Sequence, residues 1–146
     1  MNKTAPASAR AGPLAEAVLR KIRIPFIQRA HLAHDGRRWD VFLVDLGLSG
    51  VFAELSAPLP AGDSVDVSFH LPGNEIPIAA RCRVAWWRPS GVLPRSLPAG
   101  AGLEFVELAP EHRARIRDHI VEHCRSAPRA RRFARPWTQD DDPESP

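Results

Sequence analysis

Cysteine, long apolar runs and catalytic motifs are all scarce in this sequence, and each scarcity argues against a class of function. The only two cysteines, Cys82 and Cys124, lie far apart without metal-ligand spacing, so we expect free thiols. No apolar run approaches the roughly 18 residues that a membrane-spanning helix needs. Neither GxSxG nor HExxH occurs, nor does a phosphate-cradling glycine loop, and the sequence therefore predicts a protein that is not an enzyme.

The N-terminal residues contain no apolar segment of the kind that a secretory signal requires. We therefore expect a cytoplasmic protein without a membrane span. His119 and His123 lie one helical turn apart, but no third ligand is visibly placed beside them. The sequence therefore predicts no metal site and no cofactor.

Positive charge is concentrated at two places, although the net charge is only +3. One cluster precedes the first predicted strand and the other lies near the end of the chain: Arg20, Lys21 and Arg23, then Arg125, Arg129, Arg131, Arg132 and Arg135. Such clusters suit anionic partners. A nucleic-acid platform would also need exposed aromatic residues interleaved along the strands, which this pattern lacks, so we do not expect nucleic acid as the partner.

The composition divides the chain into three parts. Residues 1–13 are rich in alanine, serine, glycine and proline, and residues 1–18 are predicted to form a flexible arm. The segment "LAEAVLRKIR" (14–23) fits either a short helix or an arm. Residues 19–125 carry the regular apolar patterns of one folded domain. Residues 126–146 form a basic and then acidic tail with too few apolar groups to order itself.

Alternating apolar residues predict that the folded domain is all-β with one helix. Asp35-Gly36 marks a two-residue hairpin, and "SVDVSFHL" alternates without interruption. In "IPIAARCRVAWW" the alternation predicts that Trp87 faces outward and that these residues face inward: Ile76, Ile78, Ala80, Cys82, Val84 and Trp86. Ile116, Ile120 and Cys124 mark one face of a final helix. These elements indicate a small antiparallel barrel with the helix over an open end.

The segment "VDLGLSGVFAEL" interrupts a strand pattern with Asp45, Gly47 and Gly50 and then resumes it. Glycine inside a strand indicates a bulge or a place where another group approaches the backbone closely. Asp45 can accept hydrogen bonds from nearby backbone amides, or the turn can hold a ligand. The residues alone leave both interpretations open.

A cationic arm before the first strand and an Asp/Gly turn after the second resemble the PilZ domain family, receptors for the bacterial second messenger cyclic di-GMP. The resemblance covers roughly residues 19–124. Its segments, in chain order, are "RIP" (23–25), "VDLGLSG" (44–50), "LPAGDSVDVSFHLPG" (59–73), "RVAWW" (83–87) and "AGLEFVEL" (101–108). The resemblance implies a six-stranded antiparallel barrel with a C-terminal helix, and cyclic di-GMP as the ligand.

Family members bind this ligand with an RxxxR motif on the arm and a [D/N]xSxxG motif after the second strand. The resemblance places Arg23 on the second arginine, Asp45 on the acidic position and Gly50 on the final glycine. It also shows two departures from the family motif. Leu19 stands at the position of the first arginine, with Arg20 one residue later, and Gly47 stands at the position of the serine. The implied ligand-binding residues are Arg20, Arg23, Asp45, Gly47 and Gly50. Arginine suits this ligand because its planar fork pairs with phosphate oxygens or with guanine O6 and N7.

Two functional hypotheses follow. In the first, cyclic di-GMP orders the segment that carries Arg20 and Arg23, here called the arginine arm, on the barrel. The changed surface then regulates a protein partner in motility, adhesion or secretion. In the second, the altered motif no longer binds nucleotide and the domain is a constitutive protein-interaction adaptor that uses exposed Trp87, the helix or the tail. The two motif departures remove one charge-assisted contact and one hydroxyl contact, on the order of 2 to 4 kcal/mol of binding free energy.

Overall fold

The computed structural model describes residues 17–90 and 98–126. Residues 17–19 are helical. The residues after them form six strands and a helix: β1 (Ile24–His34), β2 (Arg37–Leu46), β3 (Gly50–Glu54), β4 (Ser64–Phe69), β5 (Ile78–Arg88), β6 (Gly100–Leu108) and α1 (Pro110–Ser126). The predicted arm and tail lie almost wholly outside the described residues, so their boundaries remain predictions.

The six strands form a closed antiparallel barrel in the order β1-β2-β3-β6-β5-β4. β1 closes it by pairing with β2 on one side and β4 on the other. The predicted all-β barrel with a C-terminal helix is therefore confirmed.

Local sequence signals place the first hairpin and the inner face of β4. Asp35 and Gly36 both have positive φ, 51° and 80°, as a type I′ turn between β1 and β2 requires. On β4 the alternation directs Val65, Val67 and Phe69 into the core, where at most 2% of each side chain is exposed. Alternation succeeds here because the residues of β4 pair in continuous register with both neighbouring strands.

Helix α1 covers the end of the barrel at which β2 leads into β3. It begins at Pro110, where the missing N–H costs no helical hydrogen bond. Ile116 and Ile120 are fully buried, which confirms the predicted apolar face. The ring of His119 meets the ring of Phe26, on β1, edge-on at a centroid distance of 5.6 Å. The helix is thus packed against the barrel core.

The two tryptophans of β5 face opposite to the prediction. The β5–β6 register shifts between Val84 and Trp86, so that Ala85 is an extra residue in a β-bulge. Trp87 consequently pairs with Ala101 and packs against the core, whereas Trp86 pairs with Gly102 on the outer face. There Trp86 stacks on Phe52 at a centroid distance of 5.3 Å.

Ile76, predicted to face inward, is 64% exposed. The reason is that β5 begins only at Ile78, so Ile76 lies in the preceding loop rather than on the barrel wall.

Candidate ligand-binding site

Residues 45–50, here called the motif turn, join β2 to β3 and are tied to two other parts of the barrel. The Gly47 N–H donates to the Gly50 carbonyl at 2.9 Å and closes the turn. The Phe105 N–H donates to the Ser49 carbonyl at 2.8 Å, which fixes the turn to β6. A β-carbon added at Gly50 would lie 1.9 Å from the Leu103 carbonyl oxygen. The close approach that this glycine permits is therefore the approach of β6.

A β-bulge in β2 brings Asp45 to the outside of the barrel. Strict alternation would place Asp45 on the inner face with Val41 and Leu43, which are buried. The β2–β3 register shifts between Leu43 and Asp45, leaving Val44 as an extra residue. Side chains after the bulge therefore point to the opposite faces from those that alternation predicts. As a result Leu46 is fully buried and the Asp45 side chain is 26% exposed.

Arg23 lies immediately before β1, and its side chain lies across the motif turn. Ile24 pairs with Leu46, and this register places Arg23 beside Gly47. The Arg23 Nη2 group donates to Asp45 Oδ1 at 2.6 Å, and Nη1 donates to the Gly50 carbonyl at 2.7 Å. One arginine thus connects the first and last residues of the turn.

The Arg23 guanidinium is buried, with only 5% of its side chain exposed. Desolvation lowers the pKa of Arg23 to about 10, and the Asp45 carboxylate opposes this fall through its charge and its hydrogen bond. Arg23 therefore stays charged at neutral pH, with Asp45 as its counterion. This ion pair compensates a buried charge.

Because Gly47 has no side chain, the Arg23 side chain can occupy the space beside it. A β-carbon at residue 47 would lie 2.5 Å from Arg23 Nη1 and 2.8 Å from Arg23 Cδ. No side chain fits at residue 47 while Arg23 holds this position. The absence of a side chain at residue 47 and the inward position of Arg23 are therefore sterically linked.

The structure brings together four of the five predicted site residues, Arg23, Asp45, Gly47 and Gly50, and leaves the Arg20 side chain exposed in the preceding turn. It adds Arg113 of α1, which sequence reasoning missed. Arg113 Nη1 donates to the Leu48 carbonyl at 3.4 Å, so a second guanidinium lies against the motif turn. No local motif marks Arg113, because the contact joins residues 65 positions apart.

The structure is thus a closed barrel in which one arginine is folded against an Asp/Gly turn. Residues 19–122 match the family model described as PilZ domain, and the chain belongs to this family. PilZ domains are ligand-binding receptor or adaptor domains and not enzymes. No curated protein sequence matches the chain.

Three solved structures share the fold at low sequence identity. The Bacillus subtilis inhibitor of motility, MotI/DgrA, aligns with a TM-score of 0.63 and 15% identity over 72% of this chain and 50% of that one. Escherichia coli YcgR in complex with c-di-GMP aligns with a TM-score of 0.58 and 19% identity, over 75% of this chain and 47% of that one. The Escherichia coli YcgR PilZ domain with c-di-GMP aligns with a TM-score of 0.57 and 15% identity, over 76% of this chain and 95% of that one. The chain thus spans about half the length of MotI and of the longer YcgR structure.

The sequence raised His119 and His123 as candidate metal ligands, and both lie within the described residues. No three His, Cys, Asp or Glu side chains converge there as a metal site. His119 packs against Phe26, and its burial, with the charge of nearby His123, lowers the pKa of its ring. Neither histidine therefore has a ligand set around it.

Among the described helices, none has the length and apolar character needed to cross a bilayer.

Proposed function

We propose that this protein is a receptor for cyclic di-GMP, which binds at the motif turn and the arginine arm and changes the surface offered to a protein partner. The observation that carries the proposal is the contact of the arm with the turn, made by Arg23 with Asp45 at 2.6 Å. Family membership supports the ligand, and c-di-GMP is present in the YcgR structures that the chain resembles. The partner is proposed to act in motility, adhesion or secretion.

The chemistry of the proposed ligand matches the groups around the turn. Cyclic di-GMP has two phosphates and two guanines, and both suit the planar fork of arginine. Exposed Arg20 lies on the arm, and Arg113 reaches the turn from α1. Ligand contacts from both would draw the arm toward the helix. The proposed signal is this change in the position of the arginine arm on the barrel.

A second candidate function is a protein adaptor that does not respond to nucleotide. It is favoured by the hydrogen bonds and the burial of Arg23. Its guanidinium already binds Asp45 and the Gly50 carbonyl, and it is almost inaccessible. Trp87 packs against the core and so is not the docking residue that the sequence suggested. Two apolar side chains outside the barrel are candidates instead, since Ile27 is 64% exposed and Phe42 is 46% exposed.

Calorimetric titration of the full chain with cyclic di-GMP at near-physiological salt distinguishes the two functions. We expect micromolar or tighter binding, no response to GMP, and a loss of roughly tenfold or more in affinity for Arg20→Ala. Arg37→Ala is the matched control, because Arg37 is an exposed arginine at the opposite end of β2 and should not change binding. Absence of binding at high ligand concentration in a folded protein would favour the adaptor.

A further inference from the structure

We propose that Gly47 allows Arg23 to hold the motif turn closed, so that cyclic di-GMP binds only after Arg23 has left Asp45. Gly47 is then the residue that determines ligand affinity, and Arg23 is a positioning residue in the unliganded protein. This inference rests on the proposed function for its ligand, whereas the closed turn itself can be tested without any ligand.

The first step is the steric exclusion between residue 47 and Arg23. A β-carbon at residue 47 would lie 2.5 Å from Arg23 Nη1, 2.8 Å from Arg23 Cδ and 3.0 Å from the Ile22 carbonyl oxygen. The guanidinium is the end of a flexible side chain, so it yields more easily than the backbone of Ile22. Any side chain at residue 47 therefore displaces Arg23, and only glycine accepts the closed turn.

The second step is the competition for one guanidinium. Arg23 directs Nη2 to Asp45 and Nη1 to Gly50, so both terminal nitrogens donate within the turn. A bidentate contact with phosphate or with the guanine edge needs two donors on one side of the fork. With 5% of its side chain exposed, Arg23 cannot make such a contact while it remains in place. Ligand binding through Arg23 therefore requires the Asp45 contact to break.

The third step is that the turn can survive this release. The Gly47–Gly50 hydrogen bond and the bond from the Phe105 N–H to the Ser49 carbonyl do not involve Arg23. Arg113 also holds the Leu48 carbonyl from α1. Release of Arg23 thus frees a guanidinium donor and the Asp45 carboxylate acceptor while these contacts keep the turn attached to the barrel.

A double-mutant cycle tests the closed turn without ligand. Urea unfolding is measured for the wild type, Gly47→Ala, Arg23→Ala and the double variant. We expect Gly47→Ala to lower the urea midpoint in the wild-type background and to lower it much less in the Arg23→Ala background. Gly62→Ala is the control, because Gly62 has open space around it and should have the same effect in both backgrounds. Equal effects of Gly47→Ala in the two backgrounds would overturn the inference.

Arginine-specific labelling with phenylglyoxal, read by mass spectrometry, tests the same point in the folded state. Arg23 should react far more slowly than exposed Arg20 in the wild type, and the two should react at similar rates in Gly47→Ala. Asp45→Asn adds no heavy atoms and should also expose Arg23, so it provides a second variant if Gly47→Ala folds poorly. Equal reactivity of Arg23 and Arg20 in the wild type would contradict the closed turn.

The ligand step is tested by titrating the wild type and Gly47→Ala with cyclic di-GMP. We expect Gly47→Ala to bind roughly tenfold more tightly or better, since it no longer has to break a charge-assisted contact. Alanine is used instead of serine so that no new hydroxyl contributes. Unchanged or weaker binding would overturn the competition. If labelling shows a closed turn but no variant binds, the proposed function fails while the steric link between Gly47 and Arg23 stands.

Discussion

Asp45 and Asp40 lie on the same strand and both pair with a basic side chain, but their surroundings differ. Asp45 neutralises a guanidinium that is 5% exposed, whereas Asp40 contacts His31 in a pair whose side chains are 73% and 68% exposed. An unpaired buried charge is expensive, and an exposed pair contributes little. The two carboxylates should therefore differ sharply in their contribution to stability.

We expect Asp45→Asn to lower the free energy of unfolding by about 2–4 kcal/mol, because the charge-assisted contact that holds Arg23 in its buried position is lost and the guanidinium leaves the turn. Asp40→Asn, the matched control on β2, should cost less than about 1 kcal/mol. Urea unfolding followed by tryptophan fluorescence measures both. Similar small losses in the two variants would mean that the Arg23–Asp45 pair does not stabilise the fold.

The free energy of unfolding should depend on pH through Cys82, and the burial of its thiol decides the direction of that dependence. Desolvation, with a smaller effect from the charge of Asp66, raises the pKa of the Cys82 thiol from 9.0 to about 12. Between these values the unfolded chain releases the thiol proton while the folded chain keeps it. The stability contributed by the thiol is thus fully present below pH 9 and is lost as the pH rises toward 12.

We therefore expect the stability advantage of the wild type over Cys82→Ala to be constant up to about pH 8.5 and to shrink above pH 9, by at most about 1.4 kcal/mol per pH unit. Urea unfolding of both proteins between pH 7 and 10.5 measures this difference, and other titrating groups cancel in the subtraction. An advantage that stays constant across this range would show that the thiol ionises equally in the two states.

At the scale of elements, the contact between β3 and β6 depends on the absence of a side chain at Gly50. A β-carbon there would lie 1.9 Å from the Leu103 carbonyl oxygen, and a backbone atom cannot yield as a side chain can. We expect Gly50→Ala to cost about 3 kcal/mol or more. Gly73→Ala should cost only about 1 kcal/mol, because Gly73 has a φ of 75° but open space around it. Equal midpoints in urea for the two variants would contradict this account.

Sequence patterns predicted elements with continuous register well and failed at the bulges. β4 and the Asp35-Gly36 hairpin follow alternation and turn chemistry, which are local rules. The extra residues Val44 and Ala85 reverse the side-chain parity of β2 and β5. The nearby glycines indicated a bulge or a close approach in the segment that contains Val44, but they did not give its position, and nothing local marks Ala85. The position of such a bulge depends on how the strands bend around a closed barrel.

The candidate site was predictable only in part, for a similar reason. The resemblance located Arg23, Asp45, Gly47 and Gly50 as a group, and their proximity agrees with the motif. It gave no indication that Arg23 is enclosed by the turn, since this depends on the side-chain volume at residue 47. Arg113 was missed because its contact with Leu48 comes from α1, an element with its own periodicity.

At the scale of the whole molecule, α1 connects parts of the barrel that are distant along the chain. Its side chains contact the motif turn through Arg113, β1 through His119 and the loop before β5 through Arg115, which donates to the Ile76 carbonyl at 2.6 Å. Ile116 and Ile120 belong to the same buried cluster as the inner faces of the strands. The helix and the barrel therefore share one core.

A shared core predicts that the helix and the barrel unfold in a single transition. Ile120→Ala should lower the free energy of unfolding by about 3 kcal/mol through lost contacts and the cavity left behind, while Ile27→Ala, at an exposed position on β1, should change it by less than about 0.5 kcal/mol. In each protein the helical signal in far-ultraviolet circular dichroism and the tryptophan fluorescence should share one urea midpoint. Loss of the helical signal at lower urea than the fluorescence would show that α1 is a separate unit, able to leave the motif turn while the barrel stays folded.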